Sequence, residues 1–230
     1  MTLERDSLTK IQKIALLFFV IPFLSSLIAL ETGIFFFKSA VAGSCMLILL
    51  LFYAQDFSRY KDVFFVITAF AFSIGGDWFL SHKGDNFLMF AAGIGLFFFA
   101  HVGYLGYALK NGSIQRLFTI LLFACFLLFF ALLLYPAIES KLILVAVFVY
   151  LLISCISLGA AAGMFLPPMS KWLYFFGITL ILFSDTLIAF NEFLDYDKFN
   201  TLILPTYYIA QISVTLAVIL KTVFTKPSAN

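Results

Sequence analysis

Eight stretches of this chain run for 17 residues or more with at most one charged side chain each. Six contain no Lys, Arg, Asp or Glu: residues 14–30, 39–55, 86–109, 117–138, 142–170 and 199–220. Two more carry a single acid each, 63–81 with Asp77 and 172–191 with Asp185. A helix needs roughly 17–25 residues to cross the hydrocarbon of a bilayer. Barrel strands are shorter and alternate apolar with polar, and these runs do not. A helix also satisfies its own backbone where water is absent. The runs therefore predict an all-α, polytopic membrane protein, a bundle of eight transmembrane helices. The spans fall near 14–30, 39–55, 63–81, 86–109, 117–138, 142–165, 172–191 and 202–220, within a single integral membrane domain over 1–230. The first span is expected to stay uncleaved, because no small-x-small site follows it before Glu31.

Composition excludes the competing classes. Hydrophobic residues make up 63% of the chain and charged residues 11%, against roughly a quarter charged in a soluble domain. A soluble fold of this length buries only about 70% of its unfolded surface, too little to hide so much apolar side chain. A soluble enzyme, a disordered tail and a coiled coil are excluded. The net charge is +2 with no long basic run, so no nucleic acid is expected as a partner. The bilayer is the expected partner, and nothing in the sequence fixes an oligomeric state. Cys45, Cys125 and Cys155 all lie in apolar runs without metal-ligand or disulfide spacing, and read as small buried hydrophobes.

Loop charge sets the expected orientation. Eight spans place the termini and loops 54–62, 110–116 and 164–171 on one side. Ten basic residues lie there: Arg5, Lys10, Lys13, Arg59, Lys61, Lys110, Arg116, Lys171, Lys221 and Lys226. The other side has four, Lys38, Lys83, Lys141 and Lys198. The positive-inside rule predicts both termini cytoplasmic. The loops carrying Glu31, His82, Asp85, Glu139, Asp195 and Asp197 then face away from the cytoplasm, with Glu31 and Glu192 solvated at that interface. A bacterial inner membrane is expected rather than the endoplasmic reticulum. Pro22 is expected to kink the first span, Pro167-Pro168 to end the sixth and Pro205 to open the eighth.

The informative residues are the polar ones inside the spans. An acid at mid-helix costs about 2.5–3.5 kcal/mol on insertion scales. Asp77 follows Ser73, Gly75 and Gly76; Asp185 follows Gly177 and Ser184. In the expected topology both helices run in one direction, and the two acids face each other at similar depth. A pair of carboxyls in a half-buried cavity is general acid–base machinery when one holds a proton and the other is ionised. The deeper Asp185 is the expected acid and Asp77 the base. On the fourth span Gly93, Phe97, His101 and Tyr104 share a face. His101 reads as a hydrogen-bonder, a proton shuttle or a metal ligand, although the only other histidine, His82, is expected in a loop. The eighth span offers Tyr207, Tyr208 and, deeper, Gln211, and Lys38 begins the second span either as an interfacial, snorkelling lysine or as a contact for a lipid phosphate. No metal site and no cofactor is expected.

Four stretches together resemble the lysoplasmalogenase-like YhhN family of multi-pass membrane proteins. They are Ser73-Ile-Gly-Gly-Asp77-Trp-Phe-Leu80; Phe90-Ala-Ala-Gly93 leading to His101 and Tyr104; Phe183-Ser184-Asp185 through Ala189; and Tyr207-Tyr208-Ile-Ala-Gln211. Where the family usually has Lys-Pro at the start of the second helix, this chain has Lys38-Ser39. The resemblance implies cleavage of the vinyl ether bond of a lysophospholipid substrate, a lysoplasmalogen. The products are a fatty aldehyde and glycerophosphocholine or glycerophosphoethanolamine. It implies Asp77 and Asp185 as catalytic residues, with Lys38, Ser73, His101, Tyr104, Ser184, Tyr207, Tyr208 and Gln211 around the substrate. Two other readings remain open on the residues alone: a proton-coupled transporter using the buried aspartates, and a metal-dependent lipid hydrolase using His101 with them.

Overall fold

The computed structural model describes residues 8–225 apart from Asp85 and the side chain of Thr225. Arg5, Asp85 and Lys226, which enter the loop-charge argument, lie outside the described residues. Eight helices are long and apolar enough to span a membrane. They are α1 (Lys10–Thr32), α2 (Phe35–Tyr53), α3 (Val63–His82), α4 (Phe87–Lys110), α5 (Arg116–Ala137), α6 (Lys141–Ala162), α7 (Pro168–Leu194) and α8 (Asn200–Phe224). The eight apolar helices make the chain an integral, multi-pass membrane protein. Outward-facing Leu17, Leu121, Leu128, Leu132 and Val145 are exposed, as a lipid solvent requires.

Local sequence sets the helix ends and irregularities. Asn86 caps α4 through the backbone N–H groups of Leu88 and Met89. Gly33, at φ 67°, ends α1 in the left-handed conformation that a residue without Cβ adopts freely. The kink expected in α1 is present: the helix breaks at Phe18–Phe19. Pro22 lies four residues after Phe18, whose carbonyl its ring would strike in an unbroken helix. In α5 a π-helical turn over Phe130–Leu134 precedes Pro136, which relieves the same clash.

Several local expectations are corrected. Pro167-Pro168 does not end the sixth span. The helix α6 stops at Ala162, and Pro168 is the first residue of α7, where its missing N–H has no helical partner to lose. Pro205 does not open the eighth span but lies inside α8, which starts at Asn200. Tyr207 and Tyr208 are consequently well inside that helix and buried. His82 belongs to α3, stacked on Trp78 at 5.0 Å, and not to a loop. Cys45 and Cys155 are buried as expected, whereas Cys125 is exposed on the outer face of α5.

Six helices close a ring in the order α2, α3, α4, α6, α7, α8 and back to α2. The α3–α4 and α7–α8 pairs pack most extensively. Close approach explains the glycines there. A Cβ at Gly103 of α4 would stand 2.5 Å from the Phe65 carbonyl oxygen of α3, so glycine there lets the two backbones lie this near. Outside the ring, α1 packs on α2, and α5 packs on α6.

The two ends of the ring differ. At one end the largest buried cluster fills the interior with Phe52, Tyr53, Tyr107, Ile178 and Val218. Asp62 at the head of α3 accepts from the Asn111 amide at 2.8 Å and pairs with Lys221 of α8. The α4–α5 and α6–α7 connections are stitched by an antiparallel bridge between Gly112 and Met164, with Phe165 donating to the Asn111 carbonyl at 2.8 Å. At the opposite end, where α3 and α7 finish and α2, α4 and α8 begin, the interior opens into a cavity.

Candidate active site

The cavity measures about 330 Å³ and lies between α2, α3, α4, α7 and α8. Asp77 is between one and two turns from the end of α3, and Asp185 between two and three turns from the end of α7. Both line this cavity, as the similar depth expected from the sequence requires. Lys38 from the first turn of α2, Ser184, Tyr207 and Tyr208 line it too. Six of the ten residues singled out in the sequence are thereby brought to one chamber. Apolar walls from Leu80, Phe97 and Ile188 complete it.

The two acids have different surroundings. Asp77 Oδ2 accepts from the Tyr207 hydroxyl at 3.4 Å. Asp185 Oδ2 accepts from the Tyr150 hydroxyl at 2.6 Å and lies 3.4 Å from Nε2 of His101. The short Tyr150 bond is in the strong range for O–H donors, and the His101 contact is at the long limit. Asp185 also borders a second, apolar chamber of about 70 Å³ between α3, α4, α6 and α7, which Asp77 does not line.

Four expected residues stand behind the cavity wall. His101 is buried and backs Asp185, with its Nδ1 unpartnered among the described residues. Tyr104 packs edge-on against His101 at 6.1 Å, and its hydroxyl has no hydrogen-bond partner among the described residues. Buried Ser73 neighbours Tyr104 and Tyr207. Gln211 is fully buried, has no side-chain partner among the described residues and does not line the cavity. Ser184 lines the cavity but spends its hydroxyl on the Ile203 carbonyl at 3.0 Å, tying α7 to α8 beside Pro205. Ser39, next to Lys38, keeps a buried hydroxyl without a partner among the described residues.

Other residues at the site were not singled out in the sequence. Tyr150 is the principal one. Its signal is weak: a lone tyrosine in the apolar α6 reads as hydrophobic filling. Asn191, Glu192 and Asn200 form the cavity rim, and Asn200 donates to Asn191 Oδ1 at 2.8 Å. Glu192, expected to be solvated, is only partly exposed: it lines the cavity and pairs with Lys83 at 3.0 Å. Among the described residues no three His, Cys, Asp or Glu side chains converge as a metal site would require.

An apolar ring around two carboxyls, one of them bordering both a polar and an apolar chamber, is the arrangement in which the family resemblance can be weighed. Comparison with curated proteins and with solved structures returns no match. A family model does match, and it covers residues 36–218, from the start of α2 to near the end of α8. That span takes in Lys38, both aspartates and every other residue of the cavity: the chain belongs to the YhhN family.

Proposed function

We propose that this protein hydrolyses the vinyl ether bond of a single-chain ether phospholipid, a lysoplasmalogen. The observation that carries the reading is the position of Asp185 at the border of the polar cavity, which it shares with Asp77, and the apolar chamber. An amphiphile with its headgroup in the polar cavity and its chain on the apolar side presents the bond between them to the two carboxyls. Lys38 on the polar side suits a phosphate.

The chemistry needs protons moved in order and no nucleophile from the protein. Asp185, whose Oδ2 is held by Tyr150, carries its proton on Oδ1 and delivers it to the β-carbon of the vinyl ether. The β-carbon is the one on the chain side, which is why the acid bordering the apolar chamber takes this role. The α-carbon becomes an oxocarbenium ion, as in glycoside hydrolysis. Asp77 takes a proton from water as its oxygen adds to the α-carbon, giving a hemiacetal. Asp77 then returns that proton to the glycerol oxygen as the C–O bond breaks. The hemiacetal O–H proton passes to Asp185, and the aldehyde leaves. One water is consumed, and both carboxyls end as they began.

The deciding experiment is aldehyde release by purified protein supplied with a lysoplasmalogen in mixed micelles. Stoichiometric aldehyde and glycerophospho-base support the reading. A folded preparation that releases neither overturns it.

A further inference from the structure

The mechanism uses the apolar chamber only as a neighbour of Asp185, yet its shape is specific. Leu80, Phe90, Ile94, Val147, Ile188 and Phe193 surround it, and its polar lining is the hydrogen-bonded Tyr150–Asp185 pair. Leu80, Phe97, Asp185 and Ile188 border both this chamber and the polar cavity. The two spaces therefore adjoin at the Asp185 carboxyl. At the far side Phe90 and Phe193 meet edge-on at 5.8 Å. Lys83 braces this wall: its ammonium stands 5.4 Å from the Phe90 ring and 3.0 Å from Glu192, next to Phe193. Beyond the wall lies a recess of about 370 Å³ that shares Phe90 and Phe193 but is otherwise of mixed character, bordered by Phe87, Ile138 and Ile143 and by Lys83, Asn86, Glu139, Ser140 and Glu192.

We propose that this chamber is the binding site for the hydrocarbon chain of the substrate, and that the Phe90–Phe193 pair governs how long a chain is accepted. The inference rests on the hydrolase reading for its occupant: a chain attached to the bond under attack at Asp185 has this apolar side to enter. The chamber of about 70 Å³ holds only the first few carbons. A longer chain meets the Phe90–Phe193 pair and must displace these rings to be accommodated. Ala189, one turn along from Asp185, is the smallest side chain in the chamber. A larger residue there fills the space the chain would occupy.

The test compares two vinyl ether lysophospholipids with one headgroup, bearing four-carbon and sixteen-carbon chains. Kinetics are measured for wild type, Ala189→Leu and Phe193→Ala. Ala189→Leu is expected to lower kcat/KM for the long chain by about tenfold, the usual penalty for a misfitting group in an apolar pocket, and to spare the short one. Phe193→Ala is expected to raise the long-to-short ratio. Equal losses on both chains in both variants would overturn the proposal. A second measurement does not depend on turnover: a lysophospholipid with a diazirine on the fourth chain carbon is photolysed in wild-type protein, and the labelled peptides are mapped. Label on α4, α6 and α7 around Ile94, Val147 and Phe193 supports the chamber, even for a protein that releases no aldehyde. Label confined to α1, α2 or α8 overturns it.

Discussion

Tyr150 on α6 and Asp185 on α7 are joined by a hydrogen bond of 2.6 Å, with the tyrosine as donor. In the proposed mechanism that bond occupies Oδ2 and leaves Oδ1 of Asp185 to face the substrate. Removing the hydroxyl in Tyr150→Phe keeps the ring and its packing against His101 at 5.2 Å. A hydrogen bond to a neutral carboxyl is worth about 0.5–1.5 kcal/mol. We expect turnover to fall by roughly two- to tenfold with thermal unfolding in detergent little changed. A variant with wild-type kcat would show that Tyr150 only fills space.

Replacing either acid by its amide tests the pair directly. Asp77→Asn and Asp185→Asn should insert and fold, because an amide is no worse placed in an apolar bundle than an acid. Each should lose aldehyde release by at least about a hundredfold, the contribution typical of a general acid or base. Retained turnover in a folded Asn variant would remove that residue from the mechanism.

The pH profile follows from the division of labour. With one carboxyl protonated and one ionised, activity falls at low pH as the base takes up a proton, and at high pH as the acid loses its own. The result is a bell whose limbs belong to the pair. His101→Gln should lower the bell without deleting a limb, since the imidazole stands behind Asp185 rather than in the cavity. Loss of one limb on this substitution would make His101 the proton donor.

Lys38 lines the polar cavity, and the proposed function gives it a role in binding. Lys38→Met is expected to raise KM for a phosphorylated substrate with little change in kcat, and to leave a neutral vinyl ether glycerol unaffected. An equal drop in kcat on both substrates would place Lys38 in the chemistry instead.

Orientation is testable apart from chemistry. Lys110 ends α4 and Lys198 lies between α7 and α8, at opposite ends of the ring. Loop charge predicts Lys110 in the cytoplasm and the cavity mouth on the far side. Reporter fusions at the two positions should therefore give opposite signals, with Lys110 cytoplasmic. The reversed pattern would turn the cavity toward the cytoplasm.

The spans were legible because insertion into lipid depends on length and hydropathy, both of which are written locally in the sequence. Asp77 and Asp185 were legible for the converse reason: a carboxyl is conspicuous where nothing else is charged. Which helices adjoin was not legible, since protein-facing and lipid-facing sides of these helices are both apolar and carry no stripe to tell them apart. Tyr150 was hidden by the same effect, because tyrosine passes for a hydrophobe until its hydroxyl is seen against Asp185. Glu192 was only partly legible because its place near a helix end suggests water, whereas the fold pairs it with Lys83. Gln211 was rightly seen as too deep for an interfacial role, but depth alone did not reveal that it does not line the cavity.

The clasp of Asp62 with Asn111 and Lys221 gives the molecule the mechanics of tongs. Three helices of the ring are pinned together at that end, next to the loops stitched at Gly112 and Met164. At the other end the arms are joined by the Lys83–Glu192 pair and by hydrogen bonds between side chains, Asn200 to Asn191 at 2.8 Å and Tyr207 to Asp77 at 3.4 Å, that a polar ligand can replace. Spreading that admits a lipid is expected to pivot about the pinned end and to be widest at the cavity mouth. Amide exchange should reveal the pivot as the slowest-exchanging part of the ring, and the helix ends around Asp77 and Asp185 as the fastest.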